Sequence, residues 1–416
     1  MFKFAYHKAL LPYIRIMTKE FSEFIERNQH EDVLNLKLKT RGKSYSFDIE
    51  QALVQIECRQ KTRLKLKEFL QNPQLIFPDV LSSEQASHEA VAKYHASLAR
   101  NDDKILDMTS GLGIDAMTFA RNGAIVTACD IDKNRTDILN HNKTVLGLSS
   151  LSPVWGDSVD YLEKTEEKFD LIFIDPSRRD IRNRRLYNLH DCLPDIIEIQ
   201  DLLAAGATRI LIKASPMLDI TRTLLDIKNV SSISAVGVKG ECKEILIEII
   251  PGKQMSALQS VVIRAIDLNP DGSILSEFTA RSGSATEDIR YADVIDIKNG
   301  SYLLEPSAMI MKIAPWHQIA KIFSAKKLGK SSHLFITDEL PSDFPGRVTE
   351  ISHIVTNRNK SDLADLPATV ISRNHPLSSD ELRKQLRIKE GDKNFIYATR
   401  IGEKPVLIFS RAVQNL

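Results

Sequence analysis

One stretch constrains the fold more than any other: Ile105-Leu-Asp107-Met-Thr109-Ser-Gly111-Leu-Gly113-Ile-Asp115. A short apolar run (Ile105-Leu106) ends in an acid, Asp107. Two glycines follow, and a helical pattern then begins with Ala116, Phe119 and Ala120. Strand, tight glycine turn and helix in that order make a nucleotide cradle. Glycine backbone can approach a ligand closely, and a helix N-terminus offers it unpaired N–H groups. The turn alone suits more than one nucleotide-bearing cofactor, so the chemistry has to be read from its surroundings.

Residues 104–250 alternate strand and helix. Strands are expected at 104–107, 124–130, 169–175, 208–214, 233–238 and 243–250, with another near Pro153-Val-Trp155. This alternation predicts an α/β, Rossmann-like parallel sheet with helices on both faces. Only Lys239-Gly240-Glu241-Cys242 joins the last two strands. That is too short for a parallel crossover, so they are expected to form an antiparallel hairpin. A parallel sheet closing on an antiparallel strand is unusual for dinucleotide enzymes and typical of class I methyltransferases.

The flanking regions differ. Residues 1–100 read mostly as helix. One helix is expected to open at Asp48 and Gln51 and run to about Leu70, and a second to open at Ser82 with Gln85 as a capping box. The basic run Arg59-Gln-Lys61-Thr-Arg63-Leu-Lys65-Leu-Lys67 fits a solvated face or an RNA-facing one. Beyond Pro251-Gly252-Lys253 the pattern becomes α+β, with helices expected at 306–325 and from Ser378, capped by Glu381, to before Gly391.

The chain has 416 residues, enough for several domains, and its 56 basic and 55 acidic side chains nearly cancel. Any basic surface must therefore be local. The tail 371–416 is one, with nine Lys or Arg against five Asp or Glu. The four cysteines lie far apart without zinc spacing, so no metal is expected. No signal-like start and no long apolar run appear, which predicts a soluble, cytoplasmic protein with no membrane contact. Oligomeric state is not legible.

Gly111-x-Gly113-x-x-Ala116, with Asp130 at ribose-binding distance, satisfies the dinucleotide fingerprint. Three acids at successive strand tips favour a different cofactor. Asp107 suits the cationic amino group of an amino-acid moiety. Asp157, in Gly156-Asp157-Ser158, can accept from an adenine amine. Asp175-Pro176 ends the strand Phe169-Asp-Leu-Ile-Phe-Ile. Each alone could be a loop cap, a turn residue or a strand exit. Together, at the strand ends where such sheets bind ligands, they point to S-adenosyl-L-methionine. The expected cofactor contacts are Asp107, Thr109, Gly111, Gly113, Asp130, Ile131, Asp157 and Ser158.

On these residues, 104–250 resembles a class I S-adenosylmethionine-dependent methyltransferase. Asp107-Met-Thr-Ser-Gly-Leu-Gly-Ile-Asp115 is similar to the first motif of bacterial guanine-N2 rRNA methyltransferases, and His141-Asn142 through Gly147 to the trimethylguanosine-synthase group. Ser83-Glu-Gln85-Ala-Ser87, Asp175-Pro-Ser-Arg-Arg179, Glu305-Pro306, Phe344-Pro-Gly-Arg347 and Arg373-Asn-His-Pro-Leu377 resemble the bacterial methyltransferases with a THUMP-like C-terminal domain. The resemblance implies a helical region 1–100, a cofactor domain 101–252, an α+β (ferredoxin-like) lobe 253–345 and a THUMP-like lobe 346–416. It also implies RNA, tRNA or rRNA, as partner.

Methyl transfer from a sulfonium is an in-line displacement, so the protein mainly positions the nucleophile and excludes water. An exocyclic amine is a poor nucleophile while its lone pair is conjugated. Asp175 and the carbonyl of Pro176 would accept its hydrogens, as the Asp/Asn-Pro-Pro-aromatic motif does in related amino-methyltransferases. Here Ser177-Arg178-Arg179 replaces the second proline and the stacking aromatic. Arg178, Arg179 and Arg182 are expected to contact substrate phosphates. C5-pyrimidine chemistry is disfavoured, because the loop Lys213-Ala-Ser215-Pro216-Met217 carries no cysteine. The expected activity is methylation of an RNA base amine, with guanine N2 a candidate atom. The alternatives are a protein or small-molecule methyltransferase, or an idle RNA-binding protein retaining the fold.

Overall fold

The computed structural model describes residues 18–178, 189–252, 261–282, 289–356 and 358–413. The chain divides into two compact units. One comprises Met1–Ser232, Lys243–Met255 and Leu268–Leu275, the other Ile233–Cys242, Ser256–Asp267 and Ser276–Leu416.

In the first unit, β1 (Lys104–Asp107), β2 (Ile125–Asp130), β3 (Leu151–Trp155), β4 (Phe169–Ile174), β7 (Ala207–Ala214) and β9 (Glu241–Ile249) lie in the order β9-β7-β4-β1-β2-β3, while β5 (Ser177–Arg178) and β6 (Cys192–Leu193) form a separate ribbon. All neighbours are parallel except β9, which runs antiparallel to β7. Burial explains why β1 and β4 read as continuous apolar runs: helices cover both sheet faces, and Ile105, Leu106, Leu171 and Ile172 are fully buried. Aspartates open most of the helices that follow the strands. Asp132, Asp157, Asp195 and Asp219 each accept from backbone N–H groups of the first turn. Lys239 and Gly240, at φ 50° and 81°, make the two-residue turn between β8 (Val230–Val238) and β9. Positive φ at both positions is the hairpin geometry expected for so short a link.

The N-terminal helices depart from expectation at their ends. The helix opened by Asp48 stops at Thr62, whose hydroxyl bonds back to the Cys58 carbonyl at 2.7 Å. Asp79, three residues before Ser82, caps a short helix Val80–Gln85, and His88 caps the next, Glu89–Ser97. An acid that can accept from both the Ser82 N–H and hydroxyl outcompetes the serine as a cap. Much of the basic run is used internally. Arg59 is buried and donates to the carbonyls of Pro73 and Leu75 at 2.8 Å, while Lys61 pairs with Glu84 at 3.0 Å.

In the second unit one seven-stranded mixed sheet passes through residues 302–412. Tyr302–Pro306 pairs antiparallel with Gly346–Ile354, which pairs with Lys404–Ala412. Gly346 is required there, since a Cβ would sit 2.2 Å from the Glu305 carbonyl oxygen. The helix expected at 306–325 is two, Ala308–Ile313 and Trp316–Ile322. Pro315 cannot donate into the first, and Ala314 takes a left-handed φ of 48° between them. The helix Ser379–Leu386 has the Ser378/Glu381 capping box. Tyr397 is fully buried, and Trp316 stacks on His333 at 4.6 Å. Among the described residues no helix is long and apolar enough to cross a membrane.

Candidate methyl-donor site

The glycine loop joins β1 to the helix Ile114–Arg121 at the carboxyl edge of the first unit's sheet. Gly111 and Gly113 have φ of 53° and 81°, which only glycine adopts without strain. Gly113 is doubly constrained, because a Cβ would lie 2.3 Å from Leu139 Cδ1. A Cβ on Gly111 would meet nothing nearer than 3.9 Å. Gly113 thus serves packing against Leu139, while Gly111 leaves open space at the loop.

Asp107 ends β1 and is 1% exposed. Its Oδ1 accepts from the Thr109 N–H at 3.1 Å, and among the described residues no cation pairs with it. Burial raises its carboxyl well above the usual range, and neighbouring Asp115, Asp175 and Asp130 raise it further. Asp130 ends β2 and accepts from Gly111 N–H at 2.9 Å and Asp132 N–H at 2.8 Å. Each of its oxygens keeps a second lone pair. Ile131 beside it is 73% exposed, and Trp155, 60% exposed, donates its indole N–H to the Ile131 carbonyl at 3.1 Å. Asp157 is exposed and uses Oδ1 to cap Val159 and Asp160; Ser158 is buried in the first turn.

Thr109 joins the loop to the next strand tip. Its Oγ1 accepts from the Asp175 N–H at 2.7 Å. Asp175 and Pro176 follow β4 directly, so the structure brings Asp107, Thr109, Gly111, Asp130 and Asp175 to one sheet edge. Ser177–Arg178 pairs with Cys192–Leu193 as a two-stranded ribbon. Arg179 and Arg182 lie outside the described residues. His141 and His190 have structural partners, the Gln74 carbonyl at 3.0 Å and Asp195 at 3.4 Å. Asn142, in the His141–Gly147 motif, clamps both backbone groups of Ile76, at 3.0 and 2.9 Å.

The sequence reading missed a chain of buried charges behind this edge. His95 is fully buried between Asp115, 2.8 Å from Nδ1, and Glu244, 2.5 Å from Nε2. Asp115 also bonds to the Ser87 hydroxyl, which accepts from Lys213 Nζ at 3.0 Å; Lys213 in turn pairs with Asp175. Burial pulls the imidazole down, but Glu244 and Asp115 outweigh it and push it up to about 10. Burial would raise Asp115, yet His95, Lys213 and Ser87 hold it below the ordinary carboxylate value. At neutral pH His95 is therefore an imidazolium. Ser87 and Asp115 stood inside motifs already noted, but nothing local marked them as partners of one another.

These residues fit S-adenosylmethionine. The space above Gly111, the acceptors Asp130 and Asp157, and the apolar Ile131 suit a nucleoside. Asp107, a buried acid with no cation on it among the described residues, suits the methionine end. Ser110 Oγ is buried in the loop with no hydrogen-bond partner among the described residues, a further vacancy for a polar ligand atom. The raised Asp107 gives a test. A cationic ligand stabilises its ionised form, so binding should release a proton, and affinity should rise as pH climbs through the free protein's raised value. Calorimetry of S-adenosylmethionine binding in buffers of different ionisation enthalpy reads this directly. Asp107→Asn should abolish the proton release.

Comparison with known proteins agrees with this architecture. Residues 102–190 match the family model described as RNA cap guanine-N2 methyltransferase, 302–345 a ferredoxin-like domain and 346–412 a THUMP domain-like family. A crystal structure of a candidate methyltransferase from Porphyromonas gingivalis W83 superposes with a TM-score of 0.83 at 26% identity, covering 95% of this chain and 98% of that one. An uncharacterized RNA methyltransferase of Mycoplasma mobile is 23% identical over 183 residues, 41% of this chain. The match spans half the length of that relative, 50%. The chain thus carries a methyltransferase domain, whose implied cofactor is S-adenosylmethionine, followed by ferredoxin-like and THUMP-like domains.

Proposed function

We propose that this protein transfers a methyl group from S-adenosylmethionine to an exocyclic amine of an RNA base, with guanine N2 the favoured atom. One observation carries the reading: Asp175 stands at the tip of β4 with its backbone N–H held by Thr109 of the cofactor loop. This contact supports Asp175 as an acceptor beside the methyl-donor site. The guanine-N2 family model over 102–190 and the RNA methyltransferase relative support RNA as the substrate class. The THUMP-like domain supports capture of tRNA or rRNA.

Bound at the loop, S-adenosylmethionine supplies an electrophilic methyl group on a sulfonium. The chain's own residues do the rest. Asp107, Asp130 and Asp157 hold the cofactor's polar groups, and Gly111 keeps the space open. Asp175 and the Pro176 carbonyl accept the two hydrogens of the amine, which turns its lone pair out of conjugation and towards the donor. Asp175 then stabilises the cationic amine as methyl is added and can take its proton. Arg178, Arg179 and Arg182 supply phosphate contacts.

Nucleoside mass spectrometry of RNA from cells with and without the protein tests this. One methylated purine amine, N2-methylguanosine above all, should disappear without the protein and return when purified protein and S-adenosylmethionine are added. An unchanged nucleoside profile would overturn the RNA reading in favour of a protein or small-molecule acceptor, or of an idle RNA-binding scaffold.

A further inference from the structure

The register of the sheet puts a lysine beside the proposed acceptor. Ile174 of β4 pairs with Ile212 of β7, so the next residues, Asp175 and Lys213, meet at the carboxyl edge. Lys213 Nζ pairs with Asp175 Oδ2, and a second of its hydrogens goes to Ser87 Oγ at 3.0 Å. Its side chain is only 14% exposed. No hydrogen bond to Asp175 Oδ1 is formed among the described residues. A carboxylate fixed at one oxygen by a lysine, and at its own backbone N–H by Thr109, has little rotational freedom left.

We propose that Lys213 is the positioning residue for Asp175, tying Oδ2 so that Oδ1 is the oxygen that accepts from the substrate amine. The inference rests on the reading of Asp175 as that acceptor. Lys213 also settles the charge of the group. Loss of solvation pushes the Asp175 carboxyl up, Asp115 and Glu244 add to this, and Lys213 is the cation that opposes them. A protonated Asp175 would donate where it has to accept. Ser87 is the other half of the device, because it anchors Lys213 to Asp115, and Asp115 is anchored in turn by His95. Through these contacts the acceptor is held by the same buried chain that secures the start of the helix after the glycine loop.

The test compares wild type, Lys213→Met, Lys213→Arg and Ser87→Ala. It uses three measurements: methyl transfer to RNA against pH, S-adenosylmethionine affinity by calorimetry, and the Asp175 carboxyl titration. The titration is followed by NMR of [4-13C]aspartate-labelled protein and assigned by difference from Asp175→Asn. Lys213→Met should slow transfer about a hundredfold at neutral pH and move the acid limb to higher pH, because an acceptor must be ionised to act. Cofactor affinity should stay within about threefold and the Asp175 titration midpoint should rise, since removing a nearby cation favours the neutral acid. Lys213→Arg should recover most of the rate. Should Lys213→Met not fold, Ser87→Ala, which keeps the ion pair but frees the lysine, should shift the limb and the midpoint in the same direction by less. An unchanged pH profile together with an unchanged Asp175 titration in these variants overturns the proposal. If wild-type protein methylates no RNA, the functional reading fails by itself, and the Asp175 titration still decides whether Lys213 governs that carboxyl.

Discussion

Asp175→Asn is expected to reduce methyl transfer to RNA by about a hundredfold or more, the usual cost of losing a charged acceptor at a reacting centre, with S-adenosylmethionine affinity nearly unchanged. Asparagine keeps the shape and one acceptor oxygen but loses the charge that stabilises the amine as it becomes cationic. The fold should tolerate it. The buried chain holds three acids, Asp175, Asp115 and Glu244, against two bases, Lys213 and His95. Removing one acid brings it to balance. Steady-state rates and calorimetry on one preparation check both halves. Full activity in Asp175→Asn would remove Asp175 from the chemistry, whereas loss of cofactor binding would reassign it to the donor pocket.

His95→Leu is expected to have the largest effect on stability. The side chain is fully buried, and its removal leaves Asp115 and Glu244 facing an apolar group without their shared cation. Breaking a buried ion pair from one side costs about 3–5 kcal/mol, to be read from chemical denaturation. Replacing His95 and Glu244 together by leucine and glutamine should cost less than His95→Leu alone, because fewer charges are stranded. The pH dependence follows from the raised imidazole. Its pKa rises from 6.5 unfolded to about 10 folded, so its stabilisation is complete below about 6.5 and is lost as pH climbs through about 10. The stability difference between wild type and His95→Leu should therefore shrink steadily across that alkaline range. A difference that stays constant from pH 6.5 to 10 would mean the imidazole is neutral in the folded protein.

Much of the architecture was legible because its signals are local. The main strands and helices in 104–250 show themselves in runs of four to thirteen residues. The glycine turn is written in consecutive positions, and the short Lys239-Gly240 link admits only a hairpin. Errors fell where two local signals compete within a few residues. Asp79 displaced Ser82 as a cap, Pro315 divided one expected helix into two, and Thr62 ended another well before Leu70. Periodicity sees none of these, because each depends on which donor or acceptor wins a particular hydrogen bond. Arg59 illustrates the same limit: its charge pattern fits a solvated face, yet it lies buried against the Pro73 and Leu75 carbonyls.

The sequence by itself determined the cofactor cradle, the row of acids at the strand tips, and the sheet that presents them. Each is a matter of spacing along the chain and of strand order. Only the tertiary structure decided which charges meet. His95 and Glu244 are 149 residues apart, Ser87 and Lys213 126, and Asp175 and Lys213 38. No periodicity links such positions. Asp175 and Lys213 become partners because parallel β4 and β7 align them at the sheet's carboxyl edge, Ser87 and His95 are brought there from the helical region before β1, and burial makes an unpaired charge too costly to leave alone. Asp175 could be named from its place after β4. That a lysine from β7 holds it was for the fold to decide.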